Sequence, residues 1–548
     1  MMFVIFILQL FFAIKIHGLS KSCESPIYCS GKILDSIQMS RIFPDSKTFI
    51  DLAMINNPDL IVSSFDKSFK SNNLNTEDLQ SFVKRNFLIA HETKPANLNS
   101  FKSKSIITQN ITNFEMRDYA EDVIRSFLKL GRFISVDVRN NPEKYSTIFL
   151  PNAFIVLEEN KDEITYFESF WIIQTLLSLE EFDIARGMLD NLIFMVKQFG
   201  YIPLGNRVYY LNRTHPPLLT KSARMYVEKT KDKTWLKNNI KYLDEELNFW
   251  LNTLITIYVD SSDYIVAVYP PGGVGPRPEF YYEDVKTASS LKNNTEKQKL
   301  YKQLRKASQS GFESPSRWIF NNSKKKSLTN VSRVVPVDLN AFLYEAFNDL
   351  SKLYNLLKMN KPEKYWKAFA VILKDAIKNV FYDKIDGVWY DYDLKLKIKR
   401  KKFFVSGLTP LWAKAYPRSS TEEKNIYGEK VVKFLNKIRN TSFDFKFIPA
   451  PYQSIIIDGL KDTLNEKAVV MAENLAKSWM SNIQTDNTLG KNGEFILQKG
   501  NELKNVVVLD YVIKKSLAES KELSNFGNAL ITCDVKVFIF IFLVILFG

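Results

Sequence analysis

Cysteine is almost missing from this chain, which has only Cys23, Cys29 and Cys533 in 548 residues. So few thiols exclude a disulfide framework and a thiolate metal site. Histidine is equally scarce, at three. His215 has no ligand partners beside it at metal-site spacing, so a packed or hydrogen-bonded histidine is the expectation and no metal or cofactor is implied. A run that could span a bilayer is also missing: Val537–Phe547 is wholly apolar but far short of the roughly 20 residues required. No repeat of fixed period and no low-complexity linker divides the chain. One sign of charge is in excess, at +15. The basic runs Lys324–Lys326 and Lys395–Lys402 carry no Gly-rich or RNA-binding pattern. They read as solvated loops or helix faces, with a functional anion patch as the alternative, and no nucleic-acid partner is expected.

Apolar and aromatic side chains are plentiful. The chain is 45% hydrophobic, with 41 Phe, 25 Tyr and 8 Trp, ample for a sizeable core and for ring faces that pack or stack on sugars. Ile184, Met188, Leu192 and Val196 recur at i+4, with Leu189 and Ile193 beside them, and Gly200 closes the pattern. Trp235–Ile257 has the same periodicity, and Leu339–Val380 is long enough for two helices. Alternation typical of strands is confined to pieces such as Arg207–Tyr210. Pro- and Gly-rich segments (Tyr269–Pro278, Ser308–Ser316, Pro449–Tyr452) fall between the helices, and loops on a rigid scaffold are where binding groups tend to sit. One predominantly α domain with functional loops is expected.

The two ends have signatures of their own. Residues 1–20 form an apolar stretch of signal-peptide length ending in small residues, although without a charged start, and a buried first helix is the alternative. At the other end Gly527-Asn528-Ala529, a short spacer and the apolar run resemble a GPI-anchor signal over 526–548, the alternative being a hydrophobic segment that docks. The domain between would be 21–525. Secretion, with lipid attachment to a membrane, follows as an expectation. Cys23 and Cys29 could then close a small loop in an oxidising compartment, while Cys533 would leave with a processed tail. Acceptor sequons stand at Asn110, Asn212, Asn293, Asn321, Asn330 and Asn440.

Ile148–Thr220 carries the most information. Within it stand Tyr166-Phe167-Glu168-Ser169-Phe170-Trp171 and Asn212-Arg213-Thr214-His215-Pro216-Pro217. Downstream come Arg277-Pro278-Glu279, Ser310-Gly311-Phe312-Glu313-Ser314-Pro315-Ser316-Arg317-Trp318, Val335–Tyr344, Gly387–Asp393 and Gly493-Glu494-Phe495. These motifs, collinear over nearly the whole chain, resemble those of the trehalase family, inverting glycoside hydrolases that split α,α-trehalose. The resemblance implies an all-α (α/α)6 barrel and a small-sugar substrate. It implies no cofactor and leaves the oligomeric state open. It also places the catalytic acid at Glu313, where the family has Asp, and the base at Glu494. Phe167, Glu168, Arg207, Arg213, Arg277, Pro278, Glu279 and Gly311 fall at substrate-binding positions. Inversion needs two carboxyls roughly 6.5–9.5 Å apart, one to protonate the leaving oxygen and one to activate water.

Several positions depart from the pattern. Asn160 stands for a sugar-gripping Arg and cannot offer a charged fork. Leu204 replaces an Asn, His215 a Gln, and Phe167 a Trp. Glu168 and Glu313 each lengthen an Asp, and a 1 Å misplacement can cost about 100-fold in rate. A site that recognises a sugar by paired donors and acceptors loses discrimination when partners vanish. Two functions therefore stand side by side: a trehalose hydrolase of impaired turnover, and a non-catalytic relative that binds a sugar or protein partner through the old cleft.

Overall fold

The computed structural model describes residues 22–69, 75–96, 98, 106–158, 161–311, 315–320, 323–439, 445, 448–486, 488–489, 495–496 and 503–519. The expected leader over 1–20, the expected anchor signal over 526–548, Cys533, and the sequons at Asn321 and Asn440 lie outside them.

Helical hairpins follow one another along the chain: Tyr166–Ser178 with Phe182–Phe199, Leu219–Thr230 with Lys233–Leu251, Val337–Leu356 with Asn360–Ala376, Thr409–Trp412 with Thr421–Arg439, and Ala450–Asp462 with Glu466–Asp486. A helix over 503–519 packs with Phe114–Leu130 as the sixth pair, joined by the Tyr119 hydroxyl donating to Asn505 Oδ1 at 2.9 Å. The ring closes where Gln174 and Ser178 donate to Asp510 at 2.7 and 2.6 Å. The fold is an (α/α)6 barrel in a single large domain.

Amphipathic faces drive the pairing. Ile184, Met188, Leu189, Leu192, Ile193 and Val196 are all buried in one continuous core. Gly200 ends their helix in the left-handed region at φ 78°, a conformation glycine adopts without steric cost. The turns within the hairpins use left-handed residues that are not glycine: Glu180, Lys231, Lys358, Lys414 and Leu464. Where Leu339–Val380 reads as two helices, the chain does break, at Lys358. Trp235–Ile257 is helical only to Leu251; Leu254–Val259 pairs antiparallel with Ser262–Ala267, because the β-branched run Ile-Thr-Ile-Tyr-Val favours a ribbon over a further helical turn. Arg207–Tyr210 is not a strand either. Val208–Tyr210 form a 3-10 turn, and Arg207 contributes one isolated bridge to Thr147.

Inside the barrel wall the Tyr166 hydroxyl joins two hairpins. It donates to Glu246 Oε1 at 2.5 Å and accepts from the amides of Leu218 and Leu219 at 2.7 and 2.6 Å. A smaller core, built from Ile27, Leu34, Phe49, Phe65 and Phe82, packs under the 201–211 loop through Leu204, Tyr209 and Tyr210. Cys23 and Cys29 form a disulfide at the edge of that lobe.

Candidate active site

Five chain segments meet over one end of the barrel: the start of Tyr166–Ser178, the 201–218 loop, the 269–280 segment, the 305–318 segment and the start of Ala450–Asp462. The first supplies a ring floor. Phe167 is buried, stacks on Tyr452 with centroids 6.4 Å apart at 23°, and meets His215 at 5.9 Å. Gly311 lies flat on the Phe167 ring. A Cβ at position 311 would come within 2.6–2.8 Å of three ring carbons, so no side chain fits there unless the ring moves. Glu168, half-buried, accepts from the Thr165 hydroxyl at 2.7 Å, and burial raises its carboxyl above the usual range.

The arginines of the site differ in their commitments. Arg213 is fully buried and forms a fork with Glu279, Nη1 to Oε1 at 2.6 Å and Nη2 to Oε2 at 3.0 Å. Its remaining bonds go to the Ser308 hydroxyl at 3.2 Å and the Tyr209 carbonyl at 2.9 Å. Its Nε is buried and has no partner among the described residues. Burial would raise the Glu279 carboxyl, but the Arg213 guanidinium outweighs it and holds the group below the usual carboxylate range. Arg277 grips Asp284 through Nε at 3.0 Å and Nη2 at 2.7 Å and lies over the Phe280 ring. Pro278 opens the short turn that swings Glu279 toward Arg213 while Arg277 faces Asp284.

Arg207, expected on the substrate, is taken up by scaffold carboxylates. It lies 2.7 Å from Glu92 and 2.9 Å from Glu163 and also donates to Ser146. Lys47 and the Tyr210 hydroxyl reach Glu163 as well, at 2.8 and 3.0 Å. Burial opposes ionisation of Glu163, yet Lys47 and Arg207 bring its carboxyl down to about 2. This knot fastens the N-terminal lobe to the barrel. Buried, hydrogen-bonded ion pairs of this kind fix geometry more than they add stability.

Leu204 and His215, two of the positions that depart from the expected pattern, pack or bond inward. The Leu204 side chain joins the smaller core, while its amide donates to the Arg213 carbonyl at 2.8 Å and its carbonyl accepts from the Tyr166 amide at 2.9 Å. His215 accepts the Phe167 amide on Nδ1 at 3.3 Å. Burial first, and then the charge of Arg213, push it down to about 3, so it is neutral near pH 7. Among the described residues no cluster of His, Cys, Asp and Glu could hold a metal. Asn160, Glu313 and Glu494 lie outside the described residues.

Other groups, not singled out in the sequence, hold these loops. Arg305 donates to the carbonyls of Gly275 at 2.8 Å and Pro276 at 2.6 Å; burial, with help from Arg213, lowers it to about 9. Gln309 spans from the Pro270 carbonyl at 2.9 Å to the Thr214 amide at 3.3 Å. Arg317 is clamped from two sides. It donates to both oxygens of Asp338 at 2.7 Å and to those of Asp391 at 2.8 and 2.9 Å. Gln309 stands two residues before Gly311, so its place beside the motif was the available signal. Arg305 sits on a Lys- and Gln-rich helix that reads as solvent-facing.

A helical barrel with a buried arginine–carboxylate fork and a ring floor at its mouth places the chain in the class of (α/α)6-barrel proteins. The neutral trehalase of Saccharomyces cerevisiae shares the fold, at a TM-score of 0.51 and 21% identity over 66% of this chain and 72% of that one. The family model described as Trehalase matches residues 41–492. The trehalase of Tenebrio molitor is 34% identical over 529 residues, covering 90% of this chain and 95% of that protein. The Homo sapiens trehalase is 32% identical over 481 residues, covering 85% and 82%. The chain belongs to the trehalase family.

Proposed function

We propose that this protein hydrolyses α,α-trehalose to two glucose molecules with inversion, at a rate below that of an unsubstituted site. Glu494 takes a proton from the attacking water as its oxygen bonds to the anomeric carbon. Glu313 gives its proton to the glycosidic oxygen as that bond breaks. The observation that carries this proposal is the meeting of the Arg213–Glu279 fork with the Phe167–Gly311–Tyr452 floor, a charged grip beside a ring face. Sugars are held by such a pairing of hydrogen-bonding groups with apolar faces. Loss of the Arg, Asn and Gln partners at 160, 204 and 215 weakens the grip. The test is glucose release from trehalose by the purified protein, compared with Glu313→Gln and Glu494→Gln. Release that either substitution abolishes supports the proposal. Absence of release from the unsubstituted protein rejects it.

The packing of Leu204 and the neutral, inward-bonded His215 favour a second reading, a cleft that binds sugar without cleaving it. Saturable trehalose binding by calorimetry, with no glucose formed, would select it. The protein's place is proposed to be outside the cell, with 1–20 as a cleaved leader and 526–548 replaced by a lipid anchor. The Cys23–Cys29 bridge supports this, since disulfides persist in oxidising compartments. Release from cells by a phosphatidylinositol-specific phospholipase, followed by an intact mass, checks both ends.

A further inference from the structure

Four acceptor sequons fall within the described residues, at Asn110, Asn212, Asn293 and Asn330, and their surroundings divide them. Asn293 is exposed and opens the helix Asn294–Ala307. Its Oδ1 caps that helix by accepting the Glu296 amide at 2.9 Å, and its Nδ2 has no bond among the described residues. Asn330 is exposed on a turn fixed from two sides. Its amide donates to the Trp318 carbonyl at 2.8 Å. Ser332 and Gln303 bond reciprocally, at 2.9 Å through the Ser332 amide and at 3.0 Å onto its hydroxyl. The Asn330 side chain makes no cap bond. Asn110 is exposed just past the helix Ile106–Gln109. Thr112, Thr295 and Ser332, which complete these sequons, are exposed as well.

Asn212 differs. It stands where the 201–218 loop meets the 269–280 segment, between the buried Leu211 and Arg213, with a left-handed backbone at φ 71°. Its amide donates to the Tyr201 hydroxyl at 2.9 Å. A Cβ on Gly273 would lie 3.5 Å from its Nδ2. Thr214, the third residue of this sequon, is buried, and its hydroxyl donates to the His215 carbonyl at 3.1 Å. An oligosaccharide on this nitrogen has no room unless the two segments part.

We propose that Asn110, Asn293 and Asn330 carry N-linked oligosaccharides and that Asn212 stays bare. This rests on the reading that the chain passes to the outside of the cell. In the transfer, the Asn Nδ2 bonds to C1 of an oligosaccharide as the bond from C1 to a lipid pyrophosphate breaks. The lipid pyrophosphate leaves, and Nδ2 gives up one of its two protons to a base of the transferring enzyme. Such groups are bulky and solubilising and belong on a surface. The carboxamide oxygen is untouched, so a modified Asn293 still caps its helix. A chain modified at Asn212 while still folding cannot bring Gly273 against that side chain, and so does not mature into the secreted protein.

The test uses the full chain from residue 21 onward, secreted from cultured animal cells behind a supplied cleavable leader. Entry to the secretory route then does not depend on residues 1–20. The secreted protein is treated, in heavy-oxygen water, with an amidase that removes N-linked oligosaccharides and turns each modified asparagine into labelled aspartate. Peptide mass spectrometry reads each position. The expected result is labelled aspartate at positions 110, 293 and 330 and unmodified asparagine at 212. Thr295→Ala should lose one oligosaccharide and keep the helix cap, whereas Asn293→Gln should lose both and melt at a lower temperature than Thr295→Ala. Labelled aspartate at 212 overturns the proposal, as does unmodified asparagine at any of the other three. Labelling as expected, with a chain that keeps its own residues 1–20 retained inside the cell, would overturn the outside-the-cell reading and leave the sorting of the asparagines standing.

Discussion

Arg317 and Arg213 are both fully buried, both end in a fork, and do different work. Arg317 meets two carboxylates, Asp338 and Asp391, which take up Nε and both terminal nitrogens. Arg213 meets one, Glu279, and leaves its Nε without a partner among the described residues. A guanidinium enclosed by two acids is a joint. It fastens the end of the 310–318 segment to the helix starting at Val337 and to the segment carrying Asp391. A guanidinium with a donor to spare and a ring floor nearby suits the binding role proposed above. Arg207 resembles Arg317 in meeting more than one carboxylate, Glu92 and Glu163.

The contrast can be broken from either side. The largest effect is expected for Arg317→Met, which leaves Asp338 and Asp391 buried without a counter-ion. Stripping one partner from a buried pair costs about 3–5 kcal/mol, so a large loss of soluble yield or a fall in the denaturant midpoint should follow, and Arg317→Lys should rescue little of it. Arg213→Lys keeps the charge but loses the fork. Trehalose hydrolysis should drop by about 100-fold in kcat/KM, with a smaller change in melting temperature than Arg317→Met gives. Gly311→Ala drives a methyl into the Phe167 ring. It should lower stability by about 1–3 kcal/mol, the usual cost of overpacking, and disturb the floor that Arg213 borders.

The smallest effect sharpens the contrast. His215→Gln restores a carboxamide at the position and should raise kcat/KM by about tenfold, the scale of one recovered sugar partner. It should also change the acid side of the stability profile. The folded His215 sits at about 3, below its ordinary value of 6.5. The folded protein therefore binds fewer protons there than the unfolded chain, and stability falls as pH drops from about 6.5 toward 3. Melting curves of the Gln variant should be flatter across that window. Equal slopes would show that His215 is not the titrating group.

The legible parts of the chain were those where chemistry is local in sequence. Phe167, Arg213, Glu279 and Gly311 sit in short runs whose spacing survives, and the structure brings them to one mouth. The i+4 pattern from Ile184 to Val196 and the stop at Gly200 describe a helix completely. Partners separated by long stretches of chain were not legible. Glu92 meets Arg207 across more than a hundred residues, Arg305 reaches the site from a helix with no motif of its own, and Tyr452 from a segment marked only by its prolines. The hairpin turns at Glu180, Lys231, Lys358, Lys414 and Leu464 were hidden because residues that rarely adopt a left-handed backbone occupy them. Trp235–Ile257 and Arg207–Tyr210 misled for a related reason: hydrophobic period alone does not separate a helix from a ribbon once β-branched residues cluster.

The tether between Tyr166 and Glu246 has a consequence for the conditions this barrel tolerates. Burial raises the Glu246 carboxyl to about 8, and the Tyr166 hydroxyl lowers it only in part. Its folded value lies above the ordinary one of 4.5, so the folded state holds a proton that the unfolded chain gives up early. The stability this contributes is complete below about 4.5 and drains away as pH climbs through 8. Loss of the Glu246 carboxyl proton thus weakens the joint between the two hairpins on the alkaline side.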